Sequence, residues 1–138
     1  MTALFVVGFH RSGTSMIAES MAHAGAAMGD NLCPPDMFNA HGYFEDPEIV
    51  QFHDRVLRRY GAGWLYDGAR RLELLAKDRA ELTQLVAARA AKGRLWGFKD
   101  PRAALFIADW LRADDTARAV FVYRHWTECV ASLGRRQA

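Results

Sequence analysis

The segment Gly8-Phe9-His10-Arg11-Ser12-Gly13-Thr14-Ser15 sets two glycines around an arginine and follows the second with a pair of hydroxyls. Glycine lets a backbone curl close to a ligand, and the free N–H groups of a helix's first turn point at an anion. The chemistry open to such a loop is binding of a phosphate or sulfate ester, with Arg11 adding charge and Ser12, Thr14 and Ser15 adding donors. The phosphate loop of ATPases and kinases carries lysine directly after its second glycine, where this chain has Thr14. Here the cation has moved to Arg11. A glycine-bounded turn alone could merely join a strand to a helix. Four polar side chains clustered around Gly13 exceed what a connector needs.

A second cluster lies near the other end of the chain. Arg124 follows an apolar run, and Ser132 comes eight positions later, about two helical turns on. A forked guanidinium and a hydroxyl so spaced can hold one further phosphate. Each residue singly is also common on a surface. No aspartate closes the run before Arg124, where a magnesium ligand would be sought, and Asp100 reads instead as a helix cap.

These clusters need elements to position them. The run Leu4–Val7 reads as a strand stopped by Gly8, with a helix from Thr14 to about Ala27. Met28–Phe44 reads as a long irregular loop, and Asp46-Pro47-Glu48 as a capped helix start leading to about Tyr60 and ending at Gly61. A further helix is expected from about Arg71 to Ala91, with Leu72, Leu75, Leu82, Leu85 and Val86 on one stripe and Gly93 as its stop. Arg94–Phe98 reads as a second strand, Asp100-Pro101 as another capped start with Ala103–Leu111 as the helix body, and Ala119–Tyr123 as a third strand. A last helix begins near Trp126. Strands alternating with helices predict an α/β fold, a parallel central sheet flanked by helices in three layers.

Composition narrows the function classes. The 138 residues are 51% hydrophobic and 25% charged, which marks a single globular domain over residues 1–138. With 18 Lys+Arg against 16 Asp+Glu the formal charge is only +2, too little for a protein that binds nucleic acid mainly through charge. The apolar run Ala3–Phe9 is too short to span a bilayer and no basic segment precedes it, so the chain is read as cytoplasmic, with no membrane partner. Cys33 and Cys129 form no CxxC pair and the histidines form no HExxH motif, so two free thiols and no metal are expected. Oligomeric state is not legible.

The two anion clusters, in this order, resemble those of sulfotransferases that use 3′-phosphoadenosine 5′-phosphosulfate. FHRSGTS resembles the family's 5′-phosphosulfate loop, and Arg124 with Ser132 its 3′-phosphate motif. NAHGYFEDPEIVQFHD, from Asn39 to Asp54, and WGFKDPRAALFIADW, from Trp96 to Trp110, resemble segments of bacterial members. The resemblance implies a P-loop-like fold in which Arg11, Ser12, Gly13, Thr14 and Ser15 bind the 5′-phosphosulfate and Arg124 and Ser132 the 3′-phosphate. Two departures stand out. The family loop commonly has lysine where this chain has Arg11, and many members place a histidine shortly after the second-strand lysine, where Lys99 is followed by Asp100-Pro101-Arg102. Domains of the family also run well past this motif, whereas Ala138 lies six residues beyond Ser132, so the resemblance implies an amino-terminal fragment.

Sulfuryl transfer needs cations beside the transferred group and a base for the acceptor's proton. Arg11 and Lys99 are the candidate cations. Glu45, at the end of the long loop, is the first candidate base, ahead of His41 and Asp100. Tyr43, Phe44, Trp64 and Trp96 are candidates for an aromatic acceptor wall, or for core. The acceptor would be a small molecule or carbohydrate offering a hydroxyl or amine. A P-loop nucleotide kinase and a nucleotide-binding module without catalysis are the competing readings.

Overall fold

Alternation along the first strand decides the layering. In β1 (Ala3–Gly8), Ala3, Phe5 and Val7 point to one side of the sheet and are fully buried, while Val6 is buried on the other. The protein is seen here as a computed structural model that describes residues 3–37, 42–66, 68, 70–92 and 94–137.

β1 pairs in parallel with β2 (Trp96–Lys99) on one side and with β3 (Arg118–Val122) on the other, giving the order β2-β1-β3. Register sets Val6 beside Lys99 and Gly8 beside Val122. All three strands therefore deliver their carboxyl ends to one edge. The chain leaves β1 for β2 on one flank and later returns to β3 on the opposite flank, so that edge carries a topological switch point, where open parallel sheets form ligand crevices.

Phe5, Phe98 and Trp110 pack as an aromatic block, with Phe5–Phe98 centroids 4.8 Å apart and Phe98–Trp110 4.6 Å apart. Against it lie α2 (Pro47–Arg59), α3 (Ala76–Ala90), a 3-10 helix (Pro101–Leu105) and α4 (Ile107–Ala113). Burial of Ile49, Phe52, Val56 and Leu57 makes α2 the main cover. Each such side chain contributes about 1.5–3 kcal/mol on leaving water. The other sheet face is smaller: Val6 packs with Ala18 of α1 (Thr14–His23) and with Ala26 and Met28, supported by Phe44 and Val122. The last helix, α5 (Trp126–Gln137), buries Cys129 and Ser132. Thus helices flank a parallel three-stranded sheet, and among the described residues no helix is long and apolar enough to cross a membrane.

Several boundaries differ from those expected. α1 stops at His23 rather than Ala27, because Gly25 takes φ +98° and Ala27 instead bridges to Trp96, its N–H bonding to Leu95 and its carbonyl accepting from Gly97. Tertiary pairing there, with Gly25 as the stop, overrides the helical propensity of the alanines around it. α3 starts at Ala76 rather than Arg71. Leu72 and Leu74 reach the core from the segment before it, while Leu75 is 45% exposed. Asp78 fixes the start by accepting from the Leu75 N–H at 2.7 Å. The segment after Asp100-Pro101 forms a 3-10 turn before α4 rather than one helix. Gly93 lies outside the described residues.

Among the described residues β3 is bonded to β1 alone, and in or just after it Phe121, Tyr123 and Trp126 are 67%, 84% and 66% exposed. On the inner side the strands approach closely. A Cβ at Gly97 would lie 2.1 Å from the Leu4 carbonyl oxygen. Gly97→Ala is therefore expected to lower unfolding free energy by about 2–3 kcal/mol in urea titration; a change under about 0.5 kcal/mol would show that β2 shifts freely.

Candidate functional site

A cleft of about 820 Å³ opens at the carboxyl edge of the sheet. The β1–α1 loop contributes Arg11, Gly13, Thr14 and Ser15, and the end of β3 with α5 contributes Arg124 and Ser132. Glu45, Lys99 and Arg102 also line it. Nearly every residue expected from sequence to bind or react thus meets one space, although the two clusters are more than a hundred positions apart.

The loop owes its shape to left-handed backbone. Gly13, at φ +101°, is the residue before α1, and among the described residues no side-chain cap bonds the helix's first N–H groups. Those donors lie at the positive end of a ten-residue helix. Arg11 is also left-handed, at φ +68°, a conformation that costs a non-glycine residue about 1 kcal/mol and turns the chain sharply. Ser12 departs from the expected role in position. Its N–H donates to the Phe9 carbonyl, and its hydroxyl lies buried under the loop beside Gly8 with no hydrogen-bond partner, so Ser12 does not line the cleft. Thr14 is buried at the helix mouth, and the Ser15 hydroxyl donates to the Tyr43 carbonyl at 3.4 Å.

The two clusters touch directly. Arg11 Nε donates to Ser132 Oγ at 2.9 Å, and Arg124 Nη1 reaches the Arg11 carbonyl at 3.5 Å. Arg124 also donates from Nε to Glu128 at 2.7 Å, in an exposed i,i+4 pair. The Glu128 bond holds the guanidinium pKa above its ordinary value. Exposed pairs of this kind contribute little to stability, so an incoming phosphate can displace Glu128 readily.

Lys99 and Glu45 form the inner wall. Lys99 Nζ donates to Glu45 Oε1 at 2.6 Å, and Arg102 Nη1 lies 3.6 Å from Glu45 Oε2. Behind them is a buried polar chain. Asp100 caps the 3-10 helix by accepting from the Arg102 N–H at 3.0 Å, accepts from Arg102 Nη1 at 2.8 Å, and meets His53 Nδ1 at 2.7 Å. The Trp110 indole, which can only donate, gives its N–H to His53 Nε2 at 3.0 Å. His53 therefore carries its proton on Nδ1 and donates it to Asp100. Burial alone would push the Asp100 carboxyl up, but His53 and Arg102 outweigh it and bring it down to about 2. Both Asp100 oxygens are engaged and the residue is wholly buried, which unsuits it as a base toward a bound molecule.

His41 and Asn39 lie outside the described residues. Of the four aromatic candidates, Tyr43 and Trp64 line the cleft, whereas Phe44 packs on the α1 side of the sheet and Trp96 is in the main core. The thiols of Cys33 and Cys129 are free, and Cys33 lies in the cleft wall, where burial pushes its pKa up. Arg102 and His10 are among the wall residues that were not anticipated. Arg102 follows Asp100-Pro101, whose capping pattern hides its reach into the cleft. His10 hydrogen-bonds through Nε2 to the Trp64 carbonyl at 2.8 Å and packs edge-on against that indole. Only a contact 54 residues away gives it a role.

Burial, aided by the Arg102 charge, lowers the His10 pKa from 6.5 to about 4. Above pH 6.5 the ring is neutral in both folded and unfolded chains and pH exerts no pull; between 6.5 and about 4 the unfolded chain takes up a proton that the fold refuses. Stability is therefore expected to fall across that window. An imidazole NMR titration should give His10 a midpoint near 4, and His10→Gln should flatten the slope of stability against pH there; a midpoint near 6.5 would contradict the burial.

In comparisons with known proteins, no family model, no curated protein and no solved structure matches the chain, so its chemistry must be read from the cleft itself.

Proposed function

We propose that the chain belongs to a P-loop-like sulfotransferase domain that moves a sulfuryl group from 3′-phosphoadenosine 5′-phosphosulfate to a hydroxyl or amine of a small molecule or carbohydrate in the cytoplasm. One observation carries the reading. Two anion-binding stations, the uncapped helix mouth with Arg11 and the pair Arg124 and Ser132, share one cleft and are joined by the Arg11–Ser132 hydrogen bond. A ligand with anionic groups at both ends of a nucleoside suits that arrangement better than a triphosphate does. Thr14 stands where a triphosphate site needs lysine, and Tyr123 closes the third strand's end where a magnesium-binding acid would serve.

In the reaction the acceptor oxygen or nitrogen attacks sulfur while the bond from sulfur to the 5′-phosphate oxygen breaks, and that oxygen leaves with the electron pair. Arg11, Lys99 and the first-turn N–H groups face the charge that builds there. Arg11 neutralises it as a fixed cation. Glu45, beside Lys99 on the same wall, takes the acceptor's proton.

Titration calorimetry with adenosine 3′,5′-bisphosphate and with ATP plus magnesium separates this from the kinase reading. The bisphosphate is expected to bind more tightly, with Arg124→Ala weakening it about tenfold or more and Ser132→Ala by a smaller factor. Clear preference for ATP with magnesium would favour the kinase. In sulfuryl-transfer assays Glu45→Gln is expected to abolish turnover while keeping nucleotide binding, and unchanged turnover would remove Glu45 as the base.

A further inference from the structure

Glu45 is held at both of its oxygens, by Lys99 at 2.6 Å on Oε1 and by Arg102 at 3.6 Å on Oε2. The two cations differ in what else holds them. Lys99 comes from the end of β2 and its side chain is 3% exposed, with Glu45 as its charged partner. Such a buried ammonium cannot be left alone and exchanges one anion only for another. Arg102 is anchored independently: Nη1 donates to Asp100 at 2.8 Å, Asp54 lies 2.8 Å from Nε as a charge neighbour outside hydrogen-bonding geometry, and Asp100 is itself fixed by His53 and by the Arg102 N–H. An anion arriving at the helix mouth would draw Lys99 away and leave Arg102 where it is.

On the sulfotransferase reading given above, on which this inference rests, we propose that Arg102 is the positioning residue for Glu45. When the donor's anionic group takes Lys99, Arg102 keeps the carboxylate on the cleft wall and compensates its charge, with Oε1 freed toward the acceptor. The buried chain Trp110–His53–Asp100 is what makes Arg102 rigid enough for this. Glu45 acts in turn as an internal competitor for Lys99, so donor binding and exposure of the base are one exchange of partners.

The role can be read from binding alone, because Arg102 acts through Glu45. Adenosine 3′,5′-bisphosphate is titrated into the full chain and into Glu45→Gln, Arg102→Met and the double variant, each checked for folding by circular dichroism. Glu45→Gln is expected to tighten binding several-fold by releasing Lys99. Arg102→Met is expected to weaken it about tenfold when Glu45 is present and less than about threefold in the Glu45→Gln background, since an unpaired half-buried carboxylate then no longer opposes the exchange. Arg102→Lys, which keeps the charge, should stay within about threefold of the parent chain. Equal losses from Arg102→Met in both backgrounds would reduce Arg102 to a general charge or a structural support and overturn the proposal. Weaker binding by Glu45→Gln would overturn it without relying on any Arg102 variant. Failure of the unaltered chain to bind the bisphosphate would instead remove the sulfotransferase reading, and this inference with it.

Discussion

Parallel pairing of β1 with both of its neighbours is the constraint from which the site follows. With Gly8 opposite Val122 and Val6 opposite Lys99, the β1–α1 loop, the lysine and the segment leading to Arg124 must all emerge at one edge. A one-residue slip of either neighbour would turn Lys99 or Val122 to the opposite face of the sheet. The aromatic block of Phe5, Phe98 and Trp110 opposes such a slip, because those rings interlock on the face away from α1. Packing on one side of the sheet therefore holds the geometry at its end.

Electrostatics works locally in a chain whose formal charge is only +2. Arg11, Lys99, Arg102 and Arg124 converge on the cleft, and their counter-charges are arranged at different depths. Asp100 compensates from within the core, whereas Glu128 compensates from solvent, where water screens the pair. Glu45 sits between these extremes, 12% exposed and shared by two cations. The positive charges of the cleft are thus compensated at graded depths, from a buried partner to a solvent-screened one.

Much of this was legible in the residues, for reasons that differ from place to place. Asp46-Pro47 and Asp100-Pro101 announced their turns because the chemistry is local: in each, the aspartate accepts from the N–H two residues on, at 3.0 Å. The strands were legible within one or two residues from alternation and glycine punctuation. Ends decided by distant partners were not. Ala24–Ala27 has helical propensity, but Ala27 is claimed by β2, and Leu72 and Leu74 are claimed by the core ahead of α3. The loop residues and the pair Arg124 and Ser132 could be placed at one cleft from type and spacing, whereas Ser12's inward hydroxyl follows from the close fit around Gly8. His53 read as one scattered histidine until Trp110 and Asp100 came to either side of its ring.

The third strand has a consequence of a different kind. Among the described residues it is bonded to the sheet on one side only and leaves backbone donors and acceptors of its other side unpaired by a strand, with Arg118 the one charge among its five residues and exposed rings at Phe121 and Tyr123. Nature usually blunts such margins with lysine, proline or a bulge. Whereas Ala27 bridges to Trp96 beyond β2, the far side of β3 is left as the margin along which one more strand could pair with the sheet.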